Sequence, residues 1–186
     1  MNRALDFLIS LLAILLLSVP MLIIAVLVKL TSKGPVFYWS ERVGQHNHIF
    51  NMPKFRTMQI GTPVVATHLL ENPDRFLTPV GKFLRKSSLD ELPQLLCIIK
   101  GDMSFVGPRP ALFNQNDLID LRTQRGVHKL TPGLTGWAQI NGRDELSVND
   151  KVEYDVYYLN NHSLLLDLKI IQKTIINILR YEGICH

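Results

Sequence analysis

The longest hydrophobic stretch of the chain lies near its N-terminus. Residues 7–28 contain no charged side chain, and a helix of that length covers about 33 Å, enough to cross the hydrocarbon core of a bilayer. Pro20 lies near the middle, where a proline kinks or breaks a helix. Arg3 and Lys29 flank the stretch, so positive charge favours neither orientation. Two structures remain open. One is a kinked spanning helix, and the other is a re-entrant helix that turns at Pro20, where the Ser18 hydroxyl would be a hydrogen-bond partner for the exposed backbone.

Alternating apolar and polar positions predict a β-hairpin directly after this stretch. Residues 35–39 read as one strand and residues 49–58 as the returning strand, with a turn at 44–47 between them. Lys54 and Arg56 alternate with apolar residues on the second strand and therefore share one face. That face suits either an anionic ligand or solvent.

The second half of the chain has helical periodicity. Residues 113–128 predict a polar helix, residues 153–158 begin another, and residues 163–181 predict an amphipathic helix. The amphipathic face of the last helix can pack on the core or lie in a membrane interface. Together these patterns predict an α+β fold that is mostly helical, with residues 1–30 as membrane anchor and residues 31–186 as the globular unit.

Composition limits the classes of partner and cofactor. The net charge of +4 suits an anionic partner such as a phosphate substrate or a membrane surface. The sequence contains no long basic run and no nucleic-acid-binding module, so we expect no nucleic acid partner. The two cysteines cannot form a disulfide framework, and reduced thiols fit a cytoplasmic location.

The strongest candidate for chemistry is the acidic pair Asp90 and Glu91. Ser88 has the spacing of an N-cap with Glu91 three residues later, which predicts a capping box at the start of a helix. Asp90 then lies in the first turn, where backbone N–H groups and the helix dipole stabilise negative charge. A purely structural cap explains the same residues. Arg85, in a short basic helix just before the pair, is close enough in sequence to share a site with Asp90.

A second candidate is the loop in which Pro108 and Pro110 flank Arg109. Such a rigid loop fixes one guanidinium group and suits bidentate phosphate binding. The glycine-rich residues 131–143 match neither of the standard nucleotide-binding glycine motifs, although their backbone amides and Arg143 could still reach a phosphate.

Taken together, these motifs resemble the bacterial monotopic phosphoglycosyl transferases, small membrane enzymes that start glycoconjugate assembly. The resemblance covers nearly the whole chain. It rests on residues 54–58 (KFRTM), 88–94 (SLDELPQ), 100–110 (KGDMSFVGPRP), 132–139 (PGLTGWAQ), 141–143 (NGR) and 155–158 (DVYY). One departure is Val19, because many members have serine directly before the break proline. The hydrogen bonding at that break is therefore left open.

The resemblance implies transfer of a sugar 1-phosphate from a UDP-sugar to polyprenol phosphate, with Mg²⁺ as cofactor. Asp90 would be the nucleophile that forms an aspartyl phosphosugar, Glu91 would help to hold the metal beside Asp90, and UMP would be released. The other implied residues are the phosphate-binding Lys54, Arg85 and Arg109, the nucleotide- or sugar-binding Gln139, Arg143 and Asp155, and the membrane break at Ser18 and Pro20.

The resemblance also implies a re-entrant anchor on the cytoplasmic face of the bacterial inner membrane, contact with membrane lipid, and interfacial helices around the active site. It permits a homodimer. Residues 61–75 favour an N-acetylated amino sugar as donor, while glucose and galactose donors stay open. Two other functions remain alternatives: a membrane-anchored scaffold for later glycosyltransferases, and a direct transferase that forms a ternary complex.

Overall fold

The structure, a computed structural model, describes residues 3–63, 72–142 and 146–180. It is mostly helical with short strands, which confirms the α+β prediction. The helices are α1 (Arg3–Thr31), α2 (Gly81–Lys86), α3 (Leu95–Lys100), α4 (Asn116–Gln124), α5 (Trp137–Ile140), α6 (Val148–Asn161) and α7 (Leu164–Arg180). The strands are β1 (Phe37–Val43), β2 (Ile49–Phe55), β3 (Ser104–Val106), β4 (Ala111–Leu112) and β5 (Gly133–Thr135).

The predicted hairpin is confirmed. Strands β1 and β2 pair antiparallel, so that Phe37 lies opposite Phe55 and Tyr38 opposite Lys54, and β4 adds to the other edge of β1. The connecting turn has left-handed backbone at His46, a conformation that short polar turns use to reverse the chain. Strands β3 and β5 form a separate parallel pair.

Helix α1 packs along its length on the rest of the protein through one narrow stripe. The buried members of this stripe are Asp6, Ser10, Ile24 and Val28, and partly buried residues such as Leu17 continue it. The spacing is that of a single helix face. Many of the remaining side chains are exposed and apolar, including Leu16 at 71% and Leu22 at 65%. Such a face suits lipid, because soluble proteins rarely expose apolar surface of that extent.

Both ends of α1 are attached to the same globular unit. At the N-terminal end, Arg3 donates to the carbonyl oxygens of Ile98 and Ile99 at the end of α3. At the C-terminal end, Val28 is fully buried in a cluster with Phe55 of β2. The two ends of the apolar helix therefore do not belong to separate parts of the molecule.

Helix α1 continues from Arg3 to Thr31 with Pro20 inside it, so the choice between a kinked spanning helix and a re-entrant helix stays a prediction. A proline removes only one hydrogen bond of the helical ladder, so the flanking turns can stay helical. The Ser18 hydroxyl donates to the carbonyl oxygen of Leu15 at 2.8 Å. The carbonyl group that loses its helical donor to Pro20 is that of Leu16, one residue further along, so the role of Ser18 at the break stays a prediction. Among the described residues, α1 is the one helix long and apolar enough to cross a membrane.

Candidate active site

The acidic pair lies in a 3₁₀ segment, Leu89–Gln94, that runs directly into α3. The predicted capping box is wrong. Ser88 has left-handed backbone (φ 56°) and its side chain makes no capping hydrogen bond. Left-handed backbone is uncommon for a non-glycine residue and often marks a functional position. The Glu91 side chain is consequently not turned back to Ser88 and is available for other contacts.

Glu91 instead binds two cations. Its Oε1 atom accepts hydrogen bonds from Lys54 Nζ at 2.8 Å and from Arg109 Nη2 at 2.9 Å. Burial by itself would raise the pKa of Glu91, but Arg109 and Lys54 hold that pKa well below its usual range. The pKa of Lys54 is lowered by burial, against the opposing effect of Glu91. Strand β2, the 3₁₀ segment and the Pro108–Pro110 loop therefore meet at one carboxylate.

Asp90 has a different environment from its neighbour. It is 7% exposed, and burial raises its pKa to about 6, against the lowering effects of Lys54, Arg85 and Arg109. At neutral pH the carboxylate is mostly ionised although it is poorly solvated. A desolvated carboxylate close to cations is a competent nucleophile towards an electrophile that the same cations attract.

Arg85 and Arg56 have separate roles. Arg85 Nε donates to Thr57 Oγ1 at 3.0 Å, and both Asp90 and Glu91 act on its pKa, which burial lowers. Arg85 therefore lies near the acidic pair, and its role in phosphate binding stays a prediction. Arg56 does not share it, because its guanidinium donates to the carbonyl oxygens of Lys33 and Ser32 after the end of α1. Of the two cations in the predicted strand 49–58, Lys54 of β2 contacts the acidic pair, whereas Arg56 lies just after the observed strand.

The acidic pair lies beside an apolar cluster that α1 helps to form. Leu89 and Leu92, which flank the pair, pack on the buried cluster that contains Ile24 and Val28 of α1 together with Phe55 of β2. The segment that carries the nucleophile candidate therefore shares an apolar cluster with the apolar helix.

The glycine-rich residues pack against the arginine loop. The Gly133 amide donates to Pro108 O and the Gly107 amide to Thr135 O, both at 2.9 Å. A Cβ atom on Gly133 would come within 2.1 Å of the Gly107 backbone nitrogen, so only glycine permits this approach. These two amides serve packing, which leaves them unavailable to a nucleotide.

The structure gives the three predicted nucleotide- or sugar-binding residues different surroundings. Gln139 donates to Leu134 O within its own segment, and Asp155 is 1% exposed and binds Arg122. Arg143 lies outside the described residues. The two described side chains thus have protein partners, and binding by this set stays a prediction.

Two arginines that the sequence patterns do not indicate contact the loop that carries Arg109. Arg42 Nη1 donates to Pro110 O at 3.1 Å, and Arg122 Nη1 donates to Arg109 O at 2.8 Å. Both therefore hold the backbone of the loop that carries Arg109. No motif marks them, since Arg122 lies in an ordinary polar helix and Arg42 in a strand of mixed character.

Two carboxylates of the site can be tested as Mg²⁺ ligands. Mg²⁺ is commonly held by one or two carboxylates together with substrate phosphates and water. Glu91 Oε1 is already engaged by two cations, whereas burial raises the pKa of Asp90 and a divalent cation would relieve that cost. Within the described ranges no cluster of three or more His, Cys, Asp or Glu side chains forms an all-protein cage. The donors therefore fit an ion held by Asp90 and substrate oxygens.

Comparison with known proteins agrees with these features. The model of the bacterial sugar transferase family matches residues 1–181. An uncharacterized sugar transferase of Bacillus subtilis, EpsL, is 45% identical over 170 residues, which is 90% of this chain and 81% of the relative.

Two further relatives have names that state a reaction. The UDP-N-acetylgalactosamine-undecaprenyl-phosphate N-acetylgalactosaminephosphotransferase of Aeromonas hydrophila is 40% identical over 98% of this chain and 44% of its own length. The UDP-glucose:undecaprenyl-phosphate glucose-1-phosphate transferase of Escherichia coli is 40% identical over 94% of this chain and 39% of its own length. The two names give the same acceptor and different sugars.

Proposed function

We propose that this chain, which belongs to the bacterial sugar transferase family and is a phosphoglycosyl transferase, transfers a sugar 1-phosphate from a UDP-sugar to polyprenol phosphate through a covalent intermediate on Asp90. The observation that carries the proposal is the position of Asp90. It is buried among Lys54, Arg85 and Arg109, and Leu89 and Leu92, close to it in sequence, pack on an apolar cluster that includes residues of α1.

The charge of the site suits a diphosphate substrate. Three cations surround two carboxylates, and one of these, Glu91, is already paired with Lys54 and Arg109. An incoming diphosphate brings further negative charge into a partly buried space, where cations stabilise it more strongly than in water. The same cations stabilise the charge that develops during displacement at phosphorus.

In the first step, a carboxylate oxygen of Asp90 attacks the phosphorus that carries the sugar. A new oxygen–phosphorus bond forms, the bond to the bridging oxygen of the diphosphate breaks, and UMP leaves with the electron pair. In the second step, a phosphate oxygen of polyprenol phosphate attacks the same phosphorus and displaces the Asp90 carboxylate. The products are UMP and a polyprenyl diphosphosugar, with Asp90 regenerated.

The remaining groups position the substrates. Lys54 and Arg109, joined through Glu91, and Arg85 beside Thr57 hold the phosphates in line with Asp90. A bound Mg²⁺, held by Asp90 with substrate oxygens, would supply charge neutralisation of the diphosphate. Because Glu91 accepts hydrogen bonds from both Lys54 and Arg109, it fixes the positions of these two cations.

The proposal includes a re-entrant anchor at the cytoplasmic face of the bacterial inner membrane. Both ends of α1 are attached to the same globular unit, through Arg3 and Val28. This supports the re-entrant anchor, because a re-entrant helix has both of its ends on the same side of the membrane. The donor that we propose is a UDP-linked N-acetylated amino sugar, which the name of the Aeromonas relative supports and that of the Escherichia coli relative does not.

The test is UMP release from a panel of UDP-sugars by the full chain in lipid nanodiscs. Without acceptor, we expect about one UMP per enzyme and a radiolabelled phosphosugar bound to Asp90; with polyprenol phosphate, we expect turnover. Asp90→Asn should abolish both, while the matched surface variant Asp74→Asn, at an exposed pair with Lys82, should behave as wild type. Turnover by Asp90→Asn at the wild-type rate would contradict a nucleophilic Asp90. UMP release that requires both substrates would support a ternary-complex transferase instead.

A further inference from the structure

The loop that carries Arg109 is held in place by hydrogen bonds that its backbone carbonyl groups accept from other parts of the protein. Pro108 and Pro110 have no backbone N–H, so they cannot donate hydrogen bonds. All three consecutive carbonyl oxygens are used: Pro108 O accepts from the Gly133 amide at 2.9 Å, Arg109 O from Arg122 at 2.8 Å, and Pro110 O from Arg42 at 3.1 Å. The position of the Arg109 backbone therefore depends on the donor that Arg122 supplies.

A partly open pocket lies beside the loop. Its lining includes Pro108, Arg109 and Pro110 of the loop together with Arg122 and His128. Where the loop lines this pocket it lacks packing partners, so the hydrogen bonds to its carbonyl groups contribute more to its position there.

Arg122 is itself held in place by Asp155 of α6. The Nε and Nη2 atoms of Arg122 both donate to Asp155 Oδ2, at 2.9 and 2.7 Å, and the side chains are 11% and 2% exposed. Removing two charges from water costs about as much as their attraction returns, so a buried ion pair is a poor source of stability. Fixing a guanidinium in one orientation is a better explanation for its presence.

We propose that Arg122, oriented by Asp155, is a positioning residue that fixes the Arg109 guanidinium against Glu91 and the substrate phosphate. The inference rests on the proposed function, since it concerns the transition state of phosphosugar transfer. Asp155 thereby acts on the site from α6, through Arg122, and has no need to contact the nucleotide or sugar itself. A displacement of about 1 Å at a charged group can cost on the order of 100-fold in rate.

The chain offers a matched control between the same two regions. Arg125, directly after α4, pairs with Glu153 of α6, and these side chains are 46% and 64% exposed. This pair lies near the Arg122–Asp155 pair in sequence, but Arg125 donates to Glu153, whereas Arg122 is the one of the two arginines that donates to a carbonyl oxygen of the loop. Arg125→Lys therefore controls for the general effect of changing an arginine that links these helices.

The experiment measures kcat and KM for UMP release with the preferred UDP-sugar and polyprenol phosphate, using the full chain in nanodiscs. Arg122→Lys keeps the charge but loses the fork that contacts both Asp155 and Arg109 O. We expect kcat to fall by 10- to 100-fold while the thermal midpoint stays within a few degrees, and Arg125→Lys to stay within twofold of wild type. Asp155→Asn should show a smaller loss of the same kind.

A double-mutant comparison shows whether Arg122 affects the rate by positioning Arg109 or by supporting the fold in general. If Arg122 acts through Arg109, then Arg122→Lys should cost less than threefold in an Arg109→Lys background. An equal loss in both backgrounds, or a wild-type kcat for Arg122→Lys, would overturn the inference. Should Arg122→Lys fail to fold, Asp155→Asn in the two backgrounds gives the same comparison. Absence of UMP from the wild-type protein with every donor would overturn the proposed function and this inference together, whereas an active wild type with an unaffected Arg122→Lys overturns the inference alone.

Discussion

Two of the regions that bury carboxylates in the described part of the chain do so in different ways. In the active site, Asp90 and Glu91 lie among lysine and arginine side chains. The second region, here the polar anchor, consists of Asp6, Ser104, Tyr158 and Asp167. Asp6 accepts from Ser104 Oγ at 2.8 Å and from the Phe105 amide, and Asp167 accepts from Tyr158 Oη at 2.7 Å, with His162 at 3.8 Å.

The partners of the buried carboxylates distinguish a ligand-binding site from a group of contacts that only stabilises the fold. Hydroxyl and amide donors satisfy a buried carboxylate and bring no positive charge of their own. The cations of the active site exceed the carboxylates that they surround, so the region can accept more negative charge. Buried acids alone therefore do not indicate chemistry, whereas buried acids with surplus cations do.

The largest effect should come from Glu91→Gln, which removes the charge that joins Lys54 to Arg109. Breaking a buried pair leaves uncompensated charge, and we expect a loss of roughly 3 kcal/mol in the free energy of unfolding and about 100-fold in the rate of UMP release. Urea unfolding and UMP assays on the purified chain measure the two quantities. Asp74→Asn, at an exposed pair, is the matched control. A Glu91→Gln protein with wild-type stability would show that the pair carries no structural role.

A smaller effect should follow acidification. Burial raises the pKa of Asp90 to about 6, so the nucleophile becomes protonated as the pH falls through that value, and the rate should drop about tenfold at pH 5. The effect on stability goes in the opposite direction to the effect on the rate. Because the pKa of Asp90 is raised in the folded state, the folded protein binds the proton more tightly than the unfolded chain does, and protonation of Asp90 does not lower the free energy of unfolding. Glu91, whose pKa is held well below its usual range, stays ionised between pH 7 and 5. UMP release measured beside the thermal midpoint over that interval should show falling activity with intact structure, and parallel losses would point to acid unfolding.

The smallest effect on catalysis should come from the polar anchor. Asp6→Asn presents an amide to donors on Ser104 and Phe105, and we expect a loss of about 1–2 kcal/mol and a thermal midpoint lowered by a few degrees. The rate per folded molecule should stay within twofold of wild type. Ser18→Ala, at an exposed hydroxyl on the same helix, should change neither quantity. A large loss of rate for Asp6→Asn at unchanged stability would make the anchor part of the catalytic site.

Local patterns predicted the elements that bury one face. The hairpin, the short basic helix before Asp90 and the amphipathic C-terminal helix are all observed, because alternation and helical periodicity directly reflect which face is buried. The prediction of a capping box was wrong because Ser88 adopts left-handed backbone. Contacts between distant parts of the chain, and not the local sequence, determine this conformation. Once Lys54 and Arg109 draw Glu91 away, the local cap has no partner.

The acidic pair and its cations were predictable for a different reason. Asp90, Glu91 and Arg109 occur in long motifs whose resemblance to a family places them together. Arg122 and Asp6 occur in no such pattern, because their importance depends on contacts with residues 13 and 98 positions away. Long-range polar contacts of single residues leave no periodic trace in a sequence.

The narrow stripe by which α1 packs has a consequence for handling the protein. Ile24 and Val28 complete the apolar cluster on which Leu89 and Leu92 pack, so the helix supports the segment that carries the acidic pair in addition to presenting an apolar face. A fragment that starts after Thr31 would uncover the other members of this cluster and leave that segment without part of its support. We therefore expect an active protein to need the helix, and with it detergent or a nanodisc, in the assay as well as in purification.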